Sequence, residues 1–199
     1  EKLADQAEKL FLRLEKQPDM PEGIYFYHAA LLYETGADQE RALALLGRVS
    51  SNSPEYDKAL RMNIRILYEQ KRFSEALSVL EELRRLHPSD VEPLLLMAEL
   101  HTLQRNFKAA DKDLVEALRL QPDNESAAFQ QAYLQEVMGH RSRAMALMEK
   151  VIEKFPDNAL ALNYVGYNLA DGNRELDRAY KLLQRAVELE PDADFILDS

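Results

Sequence analysis

The residues best suited to chemistry in this chain are its four histidines, His28, His87, His101 and His140. Two histidines can share a metal ion from one helix when they lie three or four residues apart, on the same face. None of the four lies at that spacing from another, and the chain has no cysteine to supply a thiolate ligand. We therefore interpret the histidines as partly buried structural residues, and we expect no metal and no cofactor.

The sequence also lacks the motifs of common enzyme classes. Its six glycines never form a phosphate-binding loop, and no Gly-x-Ser-x-Gly segment supplies a nucleophilic serine. Acidic pairs such as Glu81 with Glu82 and Asp111 with Asp113 are typical of solvated outer helix faces. We predict that the chain is not an enzyme.

Composition excludes two further classes of function. The chain carries 25 Lys and Arg against 35 Asp and Glu, a formal net charge of −10. This charge repels phosphate backbones and argues against binding to nucleic acid. No run of about 18 apolar residues exists, so we expect no membrane insertion within this segment. Another protein or a peptide is the remaining class of partner.

An apolar pattern that ends in proline recurs along the chain. Phe73, Ala76, Leu80, Leu83 and Pro88 return 34 positions later as Phe107, Ala110, Leu114, Ala117 and Pro122. Steps of three and four residues place the apolar side chains on one helix face, and the proline ends the helix. Prolines 18, 54, 88, 122, 156 and 191 carry this period of about 34 through the whole chain. Such a period predicts a repeat array.

Pairs of helices joined by short turns follow from this period. Turns this short allow only antiparallel neighbours, and Asn124 and Asn158 are predicted helix N-caps. The predicted helices are 3–16, 21–34, 39–49, 55–70, 73–86, 90–104, 107–120, 124–138, 141–154, 159–170 and 175–189, and 193–199 begins another.

Small residues recur where the two helices of each pair should cross. They are Ala42, Ala76, Ala110, Ala144 and Ala179 on second helices, and Ala29, Ala98, Ala132 and Gly166 on first helices, with Ile64 in the remaining place. This pattern resembles the tetratricopeptide repeat over essentially the whole chain, although the tryptophan of that family is absent throughout.

The resemblance implies an all-α fold, a right-handed superhelical array (α-solenoid) of antiparallel helix pairs. It implies about five repeats with partial repeats at both ends, in one array over residues 1–199. The repeats are 21–54, 55–88, 90–122, 124–156 and 158–191, preceded by the partial repeat 3–18 and followed by 193–199, the start of a further repeat.

In that family the first helices line a concave groove, so the resemblance implies a partner-binding set on these helices. The set is Phe26, Tyr33, Arg61, Met62, Arg65, Leu95, Leu96, Glu99, Phe129, Gln130, Tyr133, Asn163, Tyr164 and Tyr167. The alternative is that these side chains only pack between repeats; for Tyr133 and Tyr167 we favour exposure in the groove. Arg61 and Arg65 favour an acidic segment of the partner. The Lys, Asn and Arg clamp of one subclass, which holds C-terminal carboxylates, is not matched.

Two functions remain open at this stage. The first is a scaffold or adaptor that binds a partner peptide or domain in the concave groove, and the second is a structural spacer or self-association module of a larger cell-envelope protein. The stretch 163–199 is similar to segments of long bacterial cell-envelope repeat proteins, some of them lipid-anchored adaptors. This second resemblance favours the bacterial periplasm, or anchoring at the outer membrane, over the cytoplasm.

Both ends fall within helical patterns, so we expect the chain to be part of a longer protein. Apolar residues are expected on the outer faces at these ends, where they favour self-association. These residues are Leu3, Phe11, Phe195, Ile196 and Leu197.

Overall fold

The computed structural model describes residues 2–191, and every regular element in that range is an α-helix. The helices are α1 (Lys2–Leu14), α2 (Gly23–Thr35), α3 (Gln39–Leu46), α4 (Tyr56–Glu69), α5 (Phe73–Leu86), α6 (Glu92–Leu103), α7 (Phe107–Leu120), α8 (Glu125–Val137), α9 (Arg141–Lys154), α10 (Ala159–Asp171) and α11 (Leu176–Leu189). The predicted segment 193–199 lies outside the described residues. The all-α fold class is confirmed, and the division into the named repeats stays a prediction.

Helix boundaries agree with the sequence most closely for three second helices. The second helices 73–86, 107–120 and 141–154 were predicted to the residue. The Asn124 and Asn158 side chains accept hydrogen bonds from the N–H groups of Ala127 and Ala161 at 2.9 and 2.8 Å, as N-caps do. The helix predicted over 39–49 is shorter, because Gly47 caps α3 after Leu46.

The helices fall into two compact units, residues 1–93 and 94–199, each with its own buried residues. In the first unit, Ala29, Leu32, Leu45 and Ile66 belong to one cluster that joins α2, α3 and α4. α1 packs against α2 of the same unit through Phe11, whose ring stacks on the His28 ring with 5.0 Å between centroids. Leu3 at the start of α1 is 81% exposed and does not share this packing.

In the second unit, buried residues join successive helices in the same way. Ala98 on α6 packs with Ala110 and Leu114 on α7 and with Leu134 on α8. A second cluster joins α8, α9, α10 and α11, and its members include Ala132, Met148, Val165 and Ala179. Within this unit each pair therefore buries its apolar face against the next, as in a repeat array.

The small residues predicted at helix crossings are all buried. Ala29, Ala42, Ala76, Ala98, Ala110, Ala132, Ala144 and Ala179 are at most 1% exposed. Gly166 is buried as well. A Cβ at this position would lie 2.8 Å from Leu183 Cγ and 3.2 Å from the Ala179 carbonyl oxygen. Only a residue without a side chain lets α10 approach α11 this closely.

Two acidic residues predicted on solvated outer faces are not there. Asp113 is 6% exposed on α7 and forms a hydrogen bond of 2.8 Å with His101 Nδ1 on α6. Glu82 on α5 is half-buried and accepts a hydrogen bond from the Tyr56 hydroxyl of α4. The sequence pattern did not show that each carboxylate has a polar partner on the neighbouring helix.

Substitution of Gly166 by alanine tests the close approach of α10 and α11. In an open helix this change stabilises by about 1 kcal/mol. Here we expect a net loss of about 1–2 kcal/mol in the free energy of unfolding, because Leu183 and the backbone at Ala179 must move. Urea unfolding followed by circular dichroism measures the difference.

The matched control is Gly47→Ala. An added Cβ at Gly47 would meet its nearest neighbours, two carbonyl oxygens of its own turn, at 3.6 Å, an ordinary contact. We expect its stability to be unchanged or slightly raised. Equal stability of the two alanine variants would show that the crossing at Gly166 has room for a methyl group.

Candidate functional site

A cavity of about 750 Å³ opens in the second unit beside its first helices. Glu99 and Leu103 of α6 form one side, Phe129 and Tyr133 of α8 form the middle, and Leu160 at the start of α10 closes the other side. The remaining lining residues are Thr102, Arg105, Leu114, Glu125, Ser126, Gln130, Val137 and Asn158. A volume of this size accommodates a few large side chains or a short peptide segment.

Two aromatic rings on α8 lie together at this cavity. Phe129 and Tyr133, one helical turn apart, are stacked with 6.2 Å between ring centroids and 11° between ring planes. Phe129 is half-buried and packs against the cluster that includes Ala132 and Met148, which holds its ring in place. Tyr133 is 48% exposed, so one fixed ring supports one that is open to solvent.

The cavity brings together four of the fourteen residues predicted for a partner-binding groove. These four are Glu99, Phe129, Gln130 and Tyr133. The other predicted residues lie elsewhere on the first helices. Whether any of the fourteen binds a partner stays a prediction.

On α10, the predicted residues have three different environments. Tyr164 donates a hydrogen bond of 2.7 Å to Glu136 on α8, and burial together with this bond raises the pKa of the Tyr164 hydroxyl. Asn163 is half-buried, whereas Tyr167 is 45% exposed. Tyr164 therefore links two first helices, and Tyr167 presents an accessible ring.

In the first unit, several predicted residues take part in packing between helices. Phe26 and Met62 are partly buried against the cluster of α2, α3 and α4. Tyr33 donates a hydrogen bond of 2.5 Å to Glu69, and this bond raises the pKa of its hydroxyl. Arg65 is exposed. Packing between helices accounts for Phe26 and Met62 without a partner.

Arg61 is surrounded by carboxylates. Its guanidinium lies 3.0 Å from Asp57, 3.5 Å from Asp90 and 2.5 Å from Glu92. Asp57 also bonds to His87; burial alone would raise the pKa of Asp57, but the bonds from His87 and Arg61 together lower it. The Arg61 guanidinium thus already has three carboxylate partners within this unit, and its preference for an acidic partner stays a prediction.

The two leucines of α6 that were predicted to line an open groove have a different environment. Leu95 packs against the cluster of Ala98, Ala110, Leu114 and Leu134. Leu96 is half-buried. Neither lines the cavity, whose α6 residues are Glu99, Thr102 and Leu103.

Sequence reasoning missed most of the cavity's apolar rim. Leu103 and Leu160 are 53% and 38% exposed, and Val137 lies one turn beyond Tyr133. Helical spacing could have found Leu103 and Val137, which follow Glu99 and Tyr133 by four residues. No such signal exists for Arg105, which reaches the cavity from a turn in which its backbone φ is 59°.

His28 and His101 each form a hydrogen bond with a carboxylate from another part of the chain, and these pairs do not form a reactive cluster. His101 bonds to Asp113 across α6 and α7, and fully buried His28 on α2 bonds to Glu15, which directly follows α1. Across residues 2–191 no group of three or more His, Asp or Glu side chains is placed to hold a metal ion. Over the same range no helix has the length and apolar character needed to cross a membrane.

Comparison with known proteins identifies the repeat. A family model described as a tetratricopeptide repeat matches residues 37–100 and 67–133, and a second model with the same description matches 126–158. Together they cover more than half of the chain.

Curated relatives carry the same repeat. The chain is similar to TPR repeat-containing protein PA4667 of Pseudomonas aeruginosa, 31% identical over 87% of this chain and 29% of that protein. It is also similar to TPR repeat-containing protein YpiA of Bacillus subtilis, 26% identical over 84% of this chain and 40% of that protein. The chain thus spans less than half the length of these two relatives.

Solved structures with the same fold include two distant ones in sequence. A tetratricopeptide repeat protein from Parabacteroides merdae has a TM-score of 0.73 at 16% identity, covering 97% of this chain and 76% of that one. YrrB, described as a TPR protein with an unusual peptide-binding site, has a TM-score of 0.60 at 20% identity, covering 94% of this chain and 96% of that one. These structures share the α-solenoid fold of this chain. The family models show that the chain belongs to the tetratricopeptide repeat family, whose members are in general non-catalytic scaffolds for protein–protein interaction.

Proposed function

We propose that this chain is a scaffold or adaptor that binds a segment of a partner protein at the cavity between α6, α8 and α10. The observation that carries the proposal is the stacked pair of Phe129 and Tyr133 at the open cavity. A tyrosine ring supported from behind loses little conformational entropy on binding, and aromatic anchors contribute strongly when they become desolvated.

The surroundings of the aromatic pair support an apolar anchor on the partner. Leu103, Val137 and Leu160 line the cavity beside the rings, and both leucines are more than one-third exposed. Burial of this surface on binding is favourable at about 25 cal/mol per Å² of apolar area. The polar groups at the edge, among them Gln130 and Ser126, can bond to polar groups of the partner segment.

YrrB supports the proposal only through the fold. Its description assigns a peptide-binding site to that protein, and the two chains share 20% of their residues. The likeness therefore supports the idea that this arrangement of helices can present a peptide site. The proposed site in this chain consists of the residues that line its own cavity.

A second candidate function is self-association, or a spacer role, within a larger cell-envelope protein. α11 exposes Leu176, Tyr180 and Val187, which are 53, 69 and 37% exposed. At the positions equivalent to Tyr180 and Val187, α9 carries Met145 and Ile152, and there both are packed in a core. The same helix face is thus covered in one pair and open in the next.

Removal of the Tyr133 ring should weaken partner binding. Peptides are first selected from a random library displayed on phage, with the wild-type chain as target, and their affinities are then measured for Tyr133→Ala. We expect a loss of about thirtyfold, which corresponds to about 2 kcal/mol for an aromatic anchor. Because Tyr133 is 48% exposed, helix content by circular dichroism should not change.

The matched control is Tyr180→Ala, which removes an exposed tyrosine from a second helix. The selected peptides should bind this variant normally. If Tyr180→Ala loses binding and Tyr133→Ala retains it, the binding surface lies on the second helices and the proposal fails.

The self-association candidate makes a separate prediction for the same variant. Sedimentation velocity from about 1 to about 100 μM would show a wild-type dimer that Tyr180→Ala weakens about tenfold or more. A wild-type chain that stays monomeric over this range removes the second candidate and leaves the first untouched.

A further inference from the structure

Charge is distributed unevenly between the first and second helices of the second unit. Within residues 94–191, the first-helix segments of α6, α8 and α10 carry Glu99, Glu125, Glu136 and Asp171 and no lysine or arginine. The second helices carry ten lysines and arginines, three on α7, four on α9 and three on α11, against seven aspartates and glutamates. The surface that holds the cavity is therefore acidic and aromatic, although the second helices of the same unit are rich in cations.

Two of these carboxylates line the cavity itself. Glu99 of α6 and Glu125 of α8 lie on its wall together with the aromatic pair. Glu125 accepts a hydrogen bond of 2.7 Å from the Asn158 side-chain amide, and a carboxylate has further acceptor positions for a cation. The other carboxylate of α8, Glu136, is not among the lining residues; it accepts a bond from Tyr164 and lies 3.8 Å from Arg141.

Arg105 is the one cation among the residues that line the cavity in the described chain. It lies in the turn between α6 and α7, and its guanidinium carbon is 6.0 Å from the centre of the Phe107 ring. Its charge offsets only one of the two carboxylates. The cavity wall is therefore net negative.

We propose that the partner segment is cationic and amphipathic, with an apolar side chain against Phe129 and Tyr133 and flanking lysine or arginine residues that face Glu99 and Glu125. This inference rests on the proposed function and adds the chemistry of the partner to it. Complementary charge at the edge of an apolar site steers association and excludes partners of the wrong sign. An acidic segment would place its carboxylates next to Glu99 and Glu125, and the repulsion between like charges would weaken binding.

Three synthetic peptides test the inference directly. They share the same 12-residue (about three helical turns) arrangement of leucine and phenylalanine and carry lysine, glutamine or glutamate at all remaining positions. Fluorescence anisotropy measures their affinities for the wild-type chain at low and at physiological salt. We expect the lysine peptide to bind about tenfold more tightly than the glutamine peptide and the glutamate peptide to bind weakest. These differences in affinity should be smaller at physiological salt than at low salt.

Variants of the cavity wall assign the effect to named residues. Glu99→Gln combined with Glu125→Gln keeps the side-chain shape and an acceptor oxygen for Asn158, and it should weaken lysine-peptide binding about five- to tenfold. Binding of the glutamine peptide should not change. Arg105→Gln should have the opposite effect and strengthen binding of the lysine peptide.

The matched control removes two negative charges from second helices. Asp111→Asn combined with Glu153→Gln changes exposed residues of α7 and α9. If this control weakens the lysine peptide as much as the cavity variant does, the effect comes from the overall net charge and the inference is overturned.

The outcomes separate this inference from the proposed function. If all three peptides bind equally and Tyr133→Ala weakens each of them, the cavity is a binding site without charge preference, and only the inference fails. If the lysine peptide binds and Tyr133→Ala has no effect on it, the cavity is not the site and both fail. No binding of the lysine peptide also overturns the inference.

Discussion

Paired helices approach each other closely at small residues, and this close approach sets the packing of the larger side chains around each crossing. Alanine stands at most crossings and is fully buried there, and Gly166 stands where even a methyl group would meet Leu183 and a backbone oxygen. Two backbones this close hold the ridges of larger side chains in register on either side. The regular spacing of prolines and turn residues gives the second helices α5, α7, α9 and α11 the same length of 14 residues.

This constraint also separates two kinds of surface in the second unit. The first helices use small residues for the crossing, so their remaining face can hold aromatic rings without loss of core packing. Phe129 shows both roles, because part of its ring packs in the core and its stacked partner Tyr133 is open to solvent. The lysines and arginines follow the same division, because α6, α8 and α10 carry none within this unit, whereas the second helices carry them together with carboxylates. We infer that binding energy comes from the rings and that partner selectivity comes from the carboxylates.

The sequence predicted helices, crossings and caps well, because each depends on local residue types at fixed spacing. Ala110, Asn124 and Asn158 are examples that the structure confirms. The candidate site was only partly predictable, because it depends on which side chains the neighbouring helix covers. Arg61 looked available for an acidic partner, yet two of its three carboxylate partners are about 30 residues further along the chain. Asp113 looked solvated for the same reason, since nothing in its own helix indicates the contact with His101.

The most direct test of the central claim, that the first helices of the second unit form the binding surface, is a nuclear magnetic resonance titration. The ¹H–¹⁵N spectrum of the chain is recorded with increasing amounts of the lysine peptide. We predict that shifted amide signals concentrate on α6, α8 and the start of α10, with the largest shifts near Phe129 and Tyr133. Shifts concentrated on α7, α9 and α11 would contradict the account.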